Sequence, residues 1–230
     1  MLHCSEILLA LFLLSDLVLA AAGRLPQAIR LVAAQGWLLG LLPLLLWDWS
    51  AKGCPEFRLF AVSAVNAAVK GVLLPALLAY AVRRARVARE LEPLVSFRVS
   101  QLVVFALACL AFLFCKKLNI SEQVASELAI PVAFTTMGTG LFLVCARRKA
   151  ITQVLGFLVF ENGIAVFGAG ILLEYGLVVE LGILLDVFVL VFVLGIAIFQ
   201  INRTFSSIDT DKLNRLGDVH LLPPHHRRHA

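Results

Sequence analysis

The chain has 230 residues, of which 61% are hydrophobic and only 15% are charged, and its mean hydropathy is +0.95. This composition excludes an ordinary soluble domain and places the chain among membrane proteins. The net charge of +5 does not indicate nucleic-acid binding, because the basic residues are concentrated in the loops between apolar runs.

Seven runs of roughly 20 apolar residues, the length that crosses a hydrocarbon core, follow one another along the chain. Each run predicts a helix, because backbone groups in lipid must pair internally and the alternating pattern of a barrel strand is missing. The sequence therefore predicts an all-α, polytopic membrane helix bundle. The predicted spans are Ile7 to Ala22, Ala28 to Trp47, Leu59 to Val82, Val99 to Cys115, Val124 to Ala146, Ile151 to Leu173 and Leu177 to Ile201.

The first span ends in small residues, as the cleavage site of a signal peptide also does. A signal peptide begins with a positively charged segment, whereas MLHCSE carries Glu6 and no Lys or Arg, and Asp16 interrupts the apolar run. These features favour a retained helix.

Of the 20 basic residues, 15 lie on one side of the predicted bundle. Since cytoplasmic loops carry the excess of Lys and Arg, we expect the N-terminus outside and the C-terminus inside.

Three ionisable side chains lie near the middle of the predicted spans: Lys70, Glu161 and Asp186. A charge at the centre of a membrane helix costs about 2.5 to 3.5 kcal/mol even on insertion scales, so such groups usually mark ion or proton pathways. We therefore predict a proton pathway through these three residues. Glu180, near the short outer turn, is a candidate entry or exit group, although it could also be simply solvated.

Lys70 shares one helical face with Ser63 and Asn66, at spacings of three and four residues, and Asn66 is included in the predicted pathway. Pro75 cannot donate to the carbonyl of Gly71, which permits a kink and a hydrated carbonyl beside Lys70. The alternative is a lysine that extends along apolar surface to the interface. For Glu161 and Asp186, the alternative is a neutral carboxyl group that is hydrogen-bonded for packing alone.

Neither the cysteines nor the histidines form a recognisable site. The five cysteines include no CxxC pair, and the five histidines lie near the two ends of the sequence. The PPHHRRHA tail could bind a metal weakly, but a solvated tail is favoured. No Gly-rich nucleotide loop, HExxH, GxSxG or kinase signature is present. We therefore predict no metal site, no cofactor and no covalent catalysis in this chain.

Several segments together carry a family resemblance: VKGVLLPALLAYAVRR, ARRKAITQVLGFLVFENG, LLDVF and INRTFSSIDTDKLNRLGD. They resemble component E of the membrane-bound group 4 NiFe hydrogenases, of the hydrogenase-4 or formate hydrogenlyase type. The shared features are the RR pair before the sixth span, GxxxxEN within it, the aspartate in the seventh and the ID element after it.

The last three spans also resemble the small K-type membrane subunit of complex I, which has three helices and two intramembrane glutamates. With the basic pairs aligned, Leu158 stands where that subunit has its first glutamate, and Glu161 follows one turn later. Asp186 approximately matches the second glutamate. The resemblance divides the chain into a four-helix membrane part (1–123), a K-type-like part (124–205) and a cytoplasmic tail (206–230).

The resemblance implies a non-catalytic subunit of an oxidoreductase complex in the cytoplasmic (inner) membrane of a prokaryote. Its implied partners are antiporter-like subunits, an H-type membrane subunit and a peripheral arm that carries the iron–sulfur clusters and a NiFe or equivalent centre. Two other classes stay open: a subunit of a cation/proton antiporter complex or related assembly, and an autonomous secondary transporter or small receptor. The odd number of spans and the lack of an inverted repeat argue against a transporter.

Overall fold

The computed structural model describes residues 2–47, 57–84, 95–118, 126–147 and 150–171, together with Val191 and Gly195. Every regular element in the five described ranges is a helix. A π-helical turn, Val69–Leu73, joins α3 to α4. The α-helices of these ranges are α1 (Leu2–Ala21), α2 (Leu25–Leu46), α3 (Phe57–Ala68), α4 (Leu74–Arg84), α5 (Phe97–Leu118), α6 (Ala129–Ala146) and α7 (Ala150–Gly170).

Six helical segments of the described chain are long and apolar enough to cross a membrane, since α3, the π turn and α4 form one continuous span. The protein is therefore an all-helical, multi-pass membrane protein, and the first six predicted spans are found in order. The largest boundary differences are in the first span, where α1 begins at Leu2 instead of Ile7, and in the fifth span, where α6 begins at Ala129 instead of Val124. Pro131 is tolerated in the first turn of α6 because backbone N–H groups in a first turn have no helical acceptor, so the missing N–H of proline costs no hydrogen bond. The predicted seventh span and the tail lie outside the described residues, Val191 and Gly195 apart.

Buried apolar side chains form two clusters at opposite ends of the bundle. The basic-end cluster joins the end of α1, the start of α2, α4, the end of α6 and the start of α7. The far-end cluster joins the other halves of α1, α2, α6 and α7. Between them lies a layer of buried polar side chains, which we call the polar layer: Asp16, Gln35, Lys70, Thr136, Glu161 and Asn162.

The two clusters show how the sequence positions this layer. On α1, Phe12 belongs to the far-end cluster and Leu19 to the basic-end cluster, with Asp16 between them. On α7 the order is reversed, with Glu161 between Leu158 and Val166. Residues three or four positions apart share one side of a helix, and Val166 returns to that side about two turns after Leu158. Each helix therefore presents an apolar, then polar, then apolar surface to the same interior.

The most extensive helix contact is between α6 and α7, and glycines make it close. A Cβ atom at Gly140 would lie 2.3 Å from the backbone nitrogen of Phe160, and one at Gly163 would lie 2.6 Å from that of Met137. Small residues let membrane helices approach closely enough for extensive van der Waals packing. By contrast, α5 exposes Leu102 (69%) and Leu113 (66%), as a helix that faces lipid does.

We predict that Gly140→Ala destabilises the bundle by about 1 to 3 kcal/mol, because the added methyl group overpacks the α6–α7 contact and must displace backbone. Gly138→Ala is the matched control on the same helix, since its Cβ would meet only the Leu107 side chain, at 3.3 Å. The measurement is the free energy of unfolding during SDS titration in mixed micelles. Equal stability of the two variants would contradict the described packing of α6 on α7.

Candidate functional site

Lys70 and Glu161 form an ion pair in the interior of the bundle. Lys70 Nζ donates to Glu161 Oε1 at 2.7 Å, and the two side chains are 5% and 1% exposed. The π turn supplies the lysine and the middle of α7 supplies the glutamate. The alternative in which Lys70 extends to the membrane interface is therefore wrong, because its amine lies against a carboxylate in the polar layer.

The π turn holds Lys70 against α2. Its defining hydrogen bond runs from the Leu74 N–H group to the Val69 carbonyl oxygen, and Pro75 follows directly. A Cβ atom at Gly36 would lie 2.3 Å from the carbonyl carbon of Lys70, so only glycine allows α2 to approach the turn this closely. The sequence predicted an irregularity between Lys70 and Pro75, and the structure confirms one. π-Helical turns often occur at functional sites.

A second set of polar contacts surrounds the carboxyl group of Asp16, which is completely buried. Thr136 Oγ1 lies 2.6 Å from Asp16 Oδ2, and Gln35 Nε2 lies 2.8 Å from Asp16 Oδ1. Gln35 Nε2 also donates to Ser15 Oγ at 2.8 Å. Three helices thus converge on one carboxyl group, α1 through Asp16, α2 through Gln35 and α6 through Thr136.

Asn162 joins the two sets of contacts. Its Nδ2 donates to Gln35 Oε1 at 3.4 Å, and it follows Glu161 directly in the sequence. Gln35 in turn precedes Gly36, which packs on the backbone of Lys70. The Asp16 contacts and the Lys70–Glu161 pair are therefore parts of one polar layer.

The sequence alone did not predict this second set of contacts. Asp16 served there only as a sign that the first span is not a signal peptide, and Gln35 and Thr136 were not considered. The signal that could have found them is the one that identified Lys70 and Glu161, a polar side chain far from the ends of an apolar run. Asp16 does carry this signal, near the centre of the first span, whereas Gln35 and Thr136 are uncharged and carry it only weakly.

The other predicted pathway residues have different outcomes. Asn66 lies on α3, one turn before Lys70, and is half-buried, whereas Ser63 on the same face is fully buried. Leu158, at the position of the K-type glutamate, is buried in the basic-end cluster. Asp186 and Glu180 lie outside the described residues, so their place in a pathway stays a prediction.

Arg147, the first arginine of the RR pair, is buried directly after α6. Its Nη2 donates to the Ala20 carbonyl oxygen at 3.4 Å, and its Cζ lies 5.3 Å from the centroid of the Phe97 ring. Burial lowers the pKa of the Arg147 guanidinium from its ordinary value, yet arginine stays charged in proteins. A cation beside the last carbonyls of α1 is favourable, so Arg147 joins the basic ends of α1, α5 and α6.

The described part of the chain contains neither a metal-binding cluster nor a disulfide. No group of three or more His, Cys, Asp or Glu side chains there could hold a metal ion. The cysteines of these ranges, Cys4, Cys109, Cys115 and Cys145, are free thiols. The groups that the polar layer brings together are acidic, basic, hydroxyl and amide side chains.

Comparison with known proteins shows the family to which the chain belongs. No family model matches it, and no solved structure matches it. The uncharacterized protein Rv0085 of Mycobacterium tuberculosis is 35% identical over 214 residues, which cover 89% of this chain and 97% of that protein. The chain belongs to the Rv0085 family. Because the similarity covers nearly the whole length of both proteins, it includes most of the described bundle.

We predict that Lys70→Met and Glu161→Leu each destabilise the protein by about 3 to 5 kcal/mol, because each leaves a buried charge without its partner. The double variant should lose much less than the sum of the two single losses, since it removes both charges. SDS titration of the four proteins gives the coupling energy. Additive losses would contradict a direct interaction between the two side chains.

Proposed function

We propose that this protein is a non-catalytic membrane subunit of a group 4 hydrogenase or complex I-like respiratory complex, and that it contributes to proton or sodium translocation. The observation that carries the proposal is the buried Lys70–Glu161 pair, 2.7 Å apart in the polar layer. The family resemblance noted in the sequence supports the type of complex. Neither electron transfer nor substrate chemistry is assigned to this chain.

The pair is poorly explained by stability alone. Removing two charges from water has a large desolvation cost, and apolar residues of similar volume often give an equally or more stable interior. The chain nevertheless places Lys70 on an irregular helical turn and keeps glycine at position 36, where α2 meets that turn. Such an arrangement is expected where the two charged groups have a functional role and are not retained for stability alone.

Ion transfer follows from the coupling between the two groups. While Glu161 is ionised, its negative charge stabilises the positive charge of Lys70 at 2.7 Å. Protonation of Glu161 removes that attraction, so the ion pair no longer holds the positive charge of Lys70 at this position. A change of charge in a neighbouring subunit can therefore drive a proton through the pair. Asp186 is the predicted next acceptor along the row.

The proposed partners are the antiporter-like and H-type membrane subunits and the peripheral iron–sulfur arm, within the cytoplasmic membrane of a prokaryote. The exposed apolar faces of the bundle are compatible with contacts to other membrane helices as well as lipid. In this arrangement the iron–sulfur clusters and the NiFe or equivalent centre belong to the partner subunits. The present chain then supplies part of the route that ions follow.

We predict that Lys70→Ala, Glu161→Gln and Asp186→Asn each leave electron transfer to artificial acceptors intact but lower ion translocation at least tenfold, because each removes one titrating group. The measurement is proton or sodium uptake by inverted vesicles that contain the intact complex. Glu127→Gln is the matched control, since Glu127 is an exposed carboxylate just before α6.

Loss of assembly in all three variants would indicate a structural role for the charged groups instead. Normal translocation in all three, with the complex intact, would contradict the proposed pathway. A reduced rate in Glu127→Gln would show that the assay responds to any lost carboxylate, and the three results would then not support a specific route.

A further inference from the structure

Asp16 is the one described carboxyl group of the polar layer that has no cation beside it. It is 0% exposed, and its contacts within the described residues are to the neutral side chains of Thr136 and Gln35. An ionised carboxylate in such surroundings is very unfavourable, and buried groups of this kind avoid the cost by becoming neutral. The surroundings of Asp16 therefore differ in kind from those of Glu161.

The hydrogen atoms of the cluster can be assigned one by one. Ser15 Oγ donates to the Phe12 carbonyl oxygen at 2.6 Å, so it must accept from Gln35 at 2.8 Å. This fixes the amide nitrogen of Gln35 on the side of Ser15 and Asp16, where its two hydrogens bond Ser15 Oγ and Asp16 Oδ1. The amide oxygen then faces Asn162, which donates to it.

The Thr136 hydroxyl decides the state of the carboxyl group. Its oxygen lies 2.6 Å from Asp16 Oδ2 and 3.0 Å from the Val132 carbonyl oxygen, but it has one hydrogen for two acceptors. If Asp16 carries a proton on Oδ2, that proton bonds Thr136 Oγ1, and the threonine hydrogen bonds Val132. Every contact then contains one hydrogen atom.

We propose that Asp16 is a second proton-binding site of the bundle and that it holds its proton as a neutral carboxylic acid at neutral pH. Gln35 and Asn162 connect it to the position next to Glu161. Release of the proton leaves a carboxylate that competes with Glu161 for the positive charge of Lys70. This role in translocation rests on the proposed function, whereas the protonated state does not.

The charged groups on the helices packed against α1 do not alter this assignment. The basic residues of α2 and α5 and the arginine after α6 lie at or near helix ends, away from the polar layer. All of them except Arg147 are exposed, and the charged groups described at the level of Asp16 are Lys70 and Glu161, which bind each other. The basic residues concerned are Arg24, Arg30, Arg98, Lys116, Lys117 and Arg147.

Infrared spectroscopy of the full-length protein in lipid at neutral pH tests the proposal, because a protonated carboxyl group has a C=O stretching band separate from that of a carboxylate. We expect a band in the wild type that is lost in Asp16→Asn. Asparagine preserves the fold, because its amide can accept from Gln35 and donate to Thr136 as the acid does. In Thr136→Val the band should shift to higher frequency, since the acid loses its acceptor.

The matched control is Thr135→Val. Thr135 is equally buried on α6, but its hydroxyl donates to the Pro131 carbonyl oxygen of its own helix, at 2.7 Å. This variant should leave the band unchanged. A band that is the same in wild type and Asp16→Asn would overturn the proposal, and so would an unshifted band in folded Thr136→Val, which covers the case in which Asp16→Asn does not fold.

The resting spectrum separates this inference from the proposed function. The infrared band of Asp16 does not depend on ion transport. Normal translocation in the Lys70 and Glu161 variants would therefore contradict the proposed function but leave the assignment of a protonated Asp16 unchanged. Conversely, an Asp16 without its acid band would overturn this inference even if Lys70 and Glu161 prove essential for translocation.

Discussion

A buried charge in an apolar bundle requires a partner at hydrogen-bond distance, and this requirement explains most of the unusual local structure in the protein. Lys70 reaches Glu161 because a π turn interrupts its span and because Gly36 lets α2 lie directly against that turn. The close glycine contacts between α6 and α7 likewise bring Asn162 and Thr136 into the same layer as the pair. Small residues and one irregular turn thus allow the polar groups to meet.

Apolar packing and polar contacts occupy different levels of the bundle. The basic-end and far-end clusters pack apolar side chains on either side of the polar layer, and the glycine-mediated contact of α6 with α7 holds these two helices together. The polar layer between them contains an ion pair and, as we propose, a neutral acid only a few side chains apart. Groups that hold protons in different ways at similar depth are suited to passing a proton on, because a change at one alters the energy of the next.

The sequence predicted the first six spans, the position of Lys70 and Glu161 far from the ends of their spans, and a helix irregularity near Pro75, because these depend on local composition and on proline chemistry. It did not predict that Lys70 contacts Glu161 directly, since 91 residues separate them and only the packing of α2 against the π turn and α7 brings them together. Asp16, Gln35 and Thr136 escaped prediction for a related reason. Each is a polar residue within an apolar run, and its significance comes from partners on other helices.

Solid-state NMR of the protein in lipid, with ¹⁵N-labelled lysine and ¹³C-labelled glutamate, tests the central claim most directly. Our account predicts a strong dipolar coupling between a lysine side-chain nitrogen and a glutamate carboxyl carbon, which disappears in Glu161→Gln and in Lys70→Met but persists in Glu127→Gln. A spectrum in which none of the lysine–glutamate couplings depends on Lys70 and Glu161 would contradict the ion pair and the ion pathway proposed from it.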